Sequence, residues 1–531
     1  MKTTLFYKNT KYSMLLVLTL LLTFSSCEEF LEEQPSTLID SDYIYSTEEG
    51  LKSGVVSLYK FERDRYDVST EDFMGAVLMS SRSDLAFSRT GYTGLMGRYQ
   101  RGISPIDQGA NFVSSLFWKH YYNIANKATA IINAAEELEE INEESRQQII
   151  AEAKFFRAHS YFYLYRMFNN IYVTDKTITV DNAFDVISDK SSETEIFSLI
   201  NNDLSYAVEN LEWTDTFGRI TKGTAKHVKA KVAMWEGDWI EAKNQALDVI
   251  EGPDTPYSLV SSTGDVFAGD RNNSESLFVV QSQDDLLGGG DETMMNANYV
   301  TQYFQISGIE SNNEQGGRGF SRILPNRYLM GLIAQDPNDT RDDDTYFRLK
   351  FYYTSGSNIG QEVNNYGPFP ASNYRNYYKR MHPSCIKFAQ EDGNEDSYRI
   401  RGNILVYRLA ETYLIAAEAI MRSTGDPLPY INAVRERANA APLTSVNQQD
   451  ILDERARELA FEGQRWFTLK RMGQAVIDAQ ITSYAGDGPF FPANLGTKDP
   501  RTNWMPHYIN FPIAQRDLDL LGAGYPQNVG Y

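Results

Sequence analysis

TAKHVKAKVAMWEGDWIEAKNQALDV, residues 224–249, carries an apolar helical run from Thr224 to Trp235, a turn at Gly237-Asp238-Trp239, and then Ala242, Ala246 and Val249 at helical spacing. Alanines four apart put small side chains on one helix face, which lets paired helices approach closely. The same periodicity extends outward. Upstream, Glu193 to Leu211 reads as helix and breaks at Gly218, and Trp118 to Phe168 fits two antiparallel helices joined near Asn142. Their apolar stripes are Ile124, Ala128, Ile131, Ala135 and Leu138, then Ile149, Ala153, Phe156, Ser160, Tyr163 and Met167. Downstream, helix is predicted over Asn403–Arg422, with Val406, Leu409, Tyr413, Ala417 and Ile420 inward, ending at Gly425 before Pro427. Two more are predicted over Pro429–Asn439 and Asp450–Met472, and the Pro/Gly-rich tail from Pro489 to Tyr531 is expected to wrap the surface.

The 224–249 unit is similar to a tetratricopeptide helical hairpin, although its period is not cleanly repeated elsewhere, so a degenerate helical repeat is predicted. Between about Gly252 and Arg401 helical periodicity is lost and turn signals such as Gly288-Gly289-Gly290 and Gly316-Gly317 recur. Yet Tyr299–Tyr378 is dense in aromatics, which must pack something or bind something.

The chain has 531 residues, 42 % hydrophobic and 23 % charged, enough for two to four units at roughly 150 residues each. That content is too apolar for general disorder. With 50 Lys+Arg against 71 Asp+Glu the formal charge is −21, which repels nucleic-acid phosphates and anionic lipid headgroups alike.

The N-terminus reads as an address. Lys2, Lys8 and Lys11 precede an apolar run from Met14 to Phe24, and Ser25 and Ser26 lead to Cys27. Eleven apolar residues fall short of the roughly 20 a spanning helix needs, so residues 1–26 are expected to be a secretory signal. Cys27 and Cys385 are the two cysteines, allowing at most one disulfide. Cys27 resembles the lipobox cysteine of a bacterial lipoprotein, and the acidic stretch Glu28, Glu29, Glu32 and Glu33 behind it resembles a surface-export signal.

Catalytic and metal motifs are absent from the sequence. His120, His159, His227, His382 and His507 are scattered without HExxH spacing, and there is no phosphate loop and no GxGxxG. Ser57–Lys60 and Ser384–Lys387 match SxxK without a companion KTG. The acidic run Asp336–Asp344 lacks the glycine of an EF-hand loop and reads as a solvated, helix-capping turn. No catalytic residue, metal ligand or cofactor is assigned.

The segments Arg408–Ala419, Ile431–Ala438 and Ile451–Gly473, the last containing Glu458-Leu459-Ala460-Phe461-Glu462-Gly463 and Arg465-Trp466-Phe467, resemble the C-terminal half of the SusD/RagB family of outer-membrane nutrient-binding lipoproteins. Trp118, Tyr121, Ile124 and Asn126, with Glu152–Ala158 and Tyr161–Leu164, resemble the family's first helical pair, and Phe511-Pro512-Ile513 through Tyr531 its ending. The resemblance implies a mostly α, tetratricopeptide-like scaffold with long irregular loops and a few short strands. It implies regions at 1–26 (signal peptide), 27–251 (N-terminal helical), 252–402 (loop-rich, variable) and 403–531 (C-terminal helical and tail). It also implies lipidation at Cys27, an outer-membrane location facing the exterior, a SusC-type TonB-dependent transporter as partner, and an oligosaccharide ligand that is bound and released without reaction. A peptide ligand, as in the RagB branch, and a surface glycan-degrading enzyme stay open as alternatives.

Glu411 with Arg408, and Glu454 and Glu458 with Arg455, lie at spacings that allow ion pairs along or between helices, and read as buried structural pairs rather than catalytic acids. Ligand contacts are expected where aromatics sit on loops held by the helices. The residues so assigned are Tyr92, Tyr99, Tyr303, Phe304 and Phe320, with Arg98, Asn296 and Asn298 as hydrogen-bonding partners.

Overall fold

Helices α2 (Lys119–Glu137) and α3 (Glu143–Phe168) pack together on either side of Asn142, whose side chain caps α3 by accepting the Ser145 N–H. The computed structural model describes residues 44–66, 75–89, 102–178, 182, 185–282, 292–342, 345–363, 374–389, 397–486 and 500–531. Cys27, the acidic stretch behind it, Tyr92, Arg98 and Tyr99 lie outside them. An earlier helix, α1 (Glu48–Asp64), packs on both α2 and α3. From α3 the chain stacks successively through α4 (Glu193–Asn210), α5 (Lys222–Glu236), α6 (Trp239–Glu251) and α7 (Leu409–Arg422), and α7 meets α8 (Leu428–Arg437) and α9 (Gln448–Leu459).

The hairpin that opens the sequence reading forms as expected. Gly237 takes a left-handed φ of 77° at the end of α5, and Asp238 caps α6 by accepting the Glu241 N–H. Ala242 and Ala246 are fully buried against Ala230 and Ala233 of α5 and against Ala416 and Ala419 of α7. Small residues thus line both faces that α6 presents to its neighbours.

Two predicted helices are corrected. Residues 404–408 form a strand, β6 (Ile404–Arg408), which pairs antiparallel with β2 (Ser276–Val280), so Val406 lies on a strand and the helix begins at Leu409. The run Ile404-Leu405-Val406-Tyr407 is rich in strand-forming side chains, and a partner more than a hundred residues away completes the ladder. The helix predicted over Asp450–Met472 is two helices, α9 and α10 (Arg465–Arg471), separated where Phe461 and Gly463 take positive φ of 69° and 79°. The tail is also more than a wrapping, because Phe511 and Ile513 are fully buried and Arg82 lies over the Phe511 ring at 3.9 Å.

Further strand pairs, β1 (Ala86–Ser88) with β3 (Ile323–Pro325) and β4 (Phe347–Arg348) with β5 (Ser384–Cys385), tie the irregular middle stretch to the N-terminal part and to itself. One apolar core takes in Phe155, Leu277, Trp466 and Phe511, so side chains from all along the chain share it.

The charged signature residues are buried, and their pairing runs between elements. Arg341 of the middle stretch reaches Glu454 at 2.6 Å and Glu458 at 3.2 Å, while Arg408 of β6 reaches Glu458 at 2.6 Å and Glu462 at 2.8 Å. Arg435 holds Glu454 at 2.6 Å, and Arg437 bonds both Glu275 and Glu458. Arg455 pairs with Glu411 at 2.7 Å, not with Glu454 or Glu458. The acidic run at 336–344 is not a purely solvated turn either: Asp339 is buried and pairs with Arg341 at 2.6 Å.

Candidate functional site

The loop between the short helix Met295–Tyr299 and β3 is held from inside by three of the side chains expected to meet ligand. Tyr303 is fully buried, stacks on Phe351 with centroids 4.9 Å apart, and donates from its hydroxyl to the Asn312 carbonyl at 3.0 Å. Asn296 donates its side-chain amide to the Gly316 carbonyl at 2.8 Å. Asn298 donates to the Met294 carbonyl at 2.9 Å and accepts from Arg322 at 3.3 Å. Gly316 has φ of 97°, and a Cβ there would come within 2.7 Å of Ile386, so the turn needs glycine on both counts. Asn296, Asn298 and Tyr303 shape the loop and are shut off from solvent by it.

What the loop presents is a half-buried stack. Phe320 lies parallel to Tyr398 with centroids 4.1 Å apart, and Arg322 sits over Phe320 at 4.5 Å. Phe304 meets Tyr398 edge-on at 6.3 Å, and Arg318 lies 4.6 Å from the Phe304 ring centre and 5.0 Å from that of Tyr398. Backbone bonds fix the base: Phe320 N–H to the Ala297 carbonyl at 2.6 Å, Ser321 N–H to Val300 and Arg322 N–H to Asn298. From the other side, Arg89 donates through Nε to the Ser321 carbonyl at 2.6 Å. Three rings and two guanidinium groups therefore converge on a rigid base, where apolar ring surface adjoins planar hydrogen-bond donors. Phe304 and Phe320 are the predicted residues brought together here. Tyr398 was not among them, because the aromatic-rich stretch was bounded at Tyr378 and only the fold returns Tyr398 to Phe320.

Two adjoining clefts of about 290 and 370 Å³ open elsewhere, on either side of the Thr216–Arg219 turn and against β2. None of the predicted ligand contacts lines them. Among the described residues no group of three or more His, Cys, Asp or Glu side chains is disposed to hold a metal ion. Glu411, Glu454 and Glu458 carboxyls are held below the usual range; burial opposes this, and the neighbouring cations outweigh it.

A family model described as the SusD family matches residues 267–531, and one described as starch-binding, associating with the outer membrane, matches residues 29–233. The chain belongs to the SusD/RagB family. SusD-like protein P25 of Formosa agariphila is 27 % identical, the match covering 93 % of this chain and 94 % of that one. The starch-binding protein SusD of Bacteroides thetaiotaomicron is 35 % identical over 130 residues, 24 % of this chain and 22 % of that one. Among solved structures, a SusD superfamily protein of Bacteroides vulgatus superposes with a TM-score of 0.70 at 19 % identity, covering 92 % of this chain and all of that one. Surface glycan-binding protein A of B. thetaiotaomicron, in complex with laminarihexaose, superposes with a TM-score of 0.69 at 18 % identity, covering 90 % and 99 %. These likenesses establish the SusD-like, mostly helical fold.

Proposed function

We propose that this SusD/RagB protein is a lipid-anchored, surface-exposed oligosaccharide-binding lipoprotein that captures its ligand and passes it to a SusC-type TonB-dependent transporter, without catalysis or cofactor. The observation that carries the binding reading is the Phe304–Phe320–Tyr398 cluster with Arg318 and Arg322. Pyranose rings offer apolar C–H faces beside hydroxyls, and a sugar that takes the place of a guanidinium over a ring releases that guanidinium's donors to its own hydroxyls. Relatives named for starch or crystallised with laminarihexaose bind ligands of this chemistry.

Tyr92, Arg98 and Tyr99 complete the proposed set of ligand contacts. The testing experiment titrates the purified soluble form against a glycan array and a peptide pool. Binding to glycans, weakened about 5- to 30-fold on Tyr398→Ala with the fold intact, is the expected result. Binding confined to peptides, or glycan binding indifferent to Tyr398→Ala, would overturn it.

A further inference from the structure

Between α3, α5, α7, α9 and α10 lies a small, partly open cavity of about 20 Å³, lined by Arg166, Lys231, Glu411, Arg455, Gln464, Thr468 and Arg471 among others. That is room for one water or one monatomic ion, since a water needs about 10–15 Å³ measured in this way. The polar groups around it are buried and do not balance. Arg471 meets Glu418 at 2.6 Å, a carboxylate it shares with Arg422 at 3.1 Å. Of the remaining wall, Lys231 meets the carboxylate of Glu411 at 2.8 Å and Arg455 meets it at 2.7 Å, while Arg166 adds its charge beside Lys231 without an ion pair of its own among the described residues.

Hydrogen bonding is incomplete in the same direction. Lys231 is satisfied by Glu411 and the Gln464 carbonyl. Arg455 gives Nε to Thr468 Oγ1 at 3.2 Å and Nη2 to Glu411, but its buried Nη1 has no protein acceptor. Arg166 is fully buried, stacks on Phe162, Tyr163 and Phe467, gives Nε to the Phe162 carbonyl, and likewise keeps a buried Nη2 with no protein acceptor. A buried donor without an acceptor is costly, and costlier on a charged group. Burial lowers the Lys231 ammonium to about 7 against the pull of Glu411, with Arg166 and Arg455 adding a smaller repulsion.

We infer that this cavity is a binding site for a small monatomic anion, of the chloride class, held by the guanidinium groups of Arg166 and Arg455 at the junction of the helical repeat and the C-terminal helices. A halide accepts from both donors and offsets the excess positive charge, whereas a water accepts without supplying charge. The site is independent of the ligand surface and does not rest on the glycan reading.

The test is thermal unfolding of the full chain in chloride, bromide and gluconate at matched ionic strength, gluconate being too large for the cavity. Chloride and bromide should raise the midpoint over gluconate by about 1–3 °C. Thr468→Asp places a permanent carboxylate beside Arg455 and should abolish the halide response, whereas Thr468→Val should retain it. Identical midpoints in the three salts, or a halide response undiminished by Thr468→Asp, would overturn the assignment. Should Thr468→Asp fail to fold, bromide-soaked crystals of the unmodified chain decide: an anomalous peak against Arg166 and Arg455 supports the site, and density for water alone refutes it.

Discussion

Phe320 lies between Arg322 and Tyr398, whereas Tyr303, one residue before Phe304, is fully buried against Phe351. Neighbouring aromatics on one loop therefore do different work, and substitution separates them. Tyr398→Ala or Phe320→Ala removes half-exposed ring surface worth about 1–2 kcal/mol to a stacked ligand, so glycan affinity measured by calorimetry should fall about 5- to 30-fold with little change in melting temperature. Tyr303→Ala should instead cost about 3–5 kcal/mol of folding stability, because it opens a cavity and strips the Asn312 carbonyl of its donor. Equal affinity losses without destabilisation in all three would contradict this division. At this scale the sequence marks aromatic density but not exposure. Asn296, Asn298 and Tyr303 carry the chemistry of a sugar site, yet their partners are carbonyls of the adjoining backbone, those of Gly316, Met294 and Asn312. No periodicity on irregular backbone says which side chains turn inward.

Helix α9 makes the corresponding point for elements. Its Glu458 is fully buried and accepts from Arg341, Arg408 and Arg437, which arrive from the middle stretch, β6 and α8. The neighbouring cations, working against burial, hold the Glu458 carboxyl well below its usual value of 4.5. The folded state therefore binds fewer protons than the unfolded chain as pH falls toward that value. The stabilisation is complete above about pH 4.5 and is lost as pH drops toward the folded value. Glu411 and Glu454 act in the same sense, while Glu275, raised by desolvation, opposes them. Glu458→Gln should cost about 3–5 kcal/mol near neutrality by leaving three guanidiniums around an uncharged group, and urea midpoints should show a shallower acid decline than in the unmodified chain. An unchanged pH profile would remove Glu458 from that role. Spacing along the chain made the buried pairing legible and misjudged the partners, since nothing local to Glu458 announces Arg341 or Arg408. The break between α9 and α10 has a local sign, Gly463, within the stretch predicted as one helix over Asp450–Met472. The α5–α6 hairpin was read correctly because its glycine turn and its alanines are all local.

For the described residues as a whole, one core joins N-terminal helices, middle stretch and tail, and Phe320 packs against it, so the loop that carries Phe320 is braced by the fold rather than by a detachable module. The capture role proposed above requires the chain to be kept at the membrane and to give up its cargo. No described helix is long and apolar enough to cross a membrane. In the proposed function, attachment falls to acyl chains on Cys27 and transfer to a barrel partner. Cys385, the other cysteine, is buried, and burial pushes its thiol up to about 12. Mild-detergent extraction of the native outer membrane followed by pulldown on this chain should co-purify a TonB-dependent barrel. Cys27→Ser should release the chain from the membrane fraction and sharply reduce that recovery, since two membrane-bound partners meet at a far higher effective concentration than a membrane protein and a soluble one. If the lipoprotein is recovered repeatedly without a barrel, the delivery role fails; if Cys27→Ser stays in the outer membrane, the anchor does. The two halves of the reading can thus be lost separately, and glycan binding by the soluble form would survive either loss, because the ring cluster is built within this chain alone.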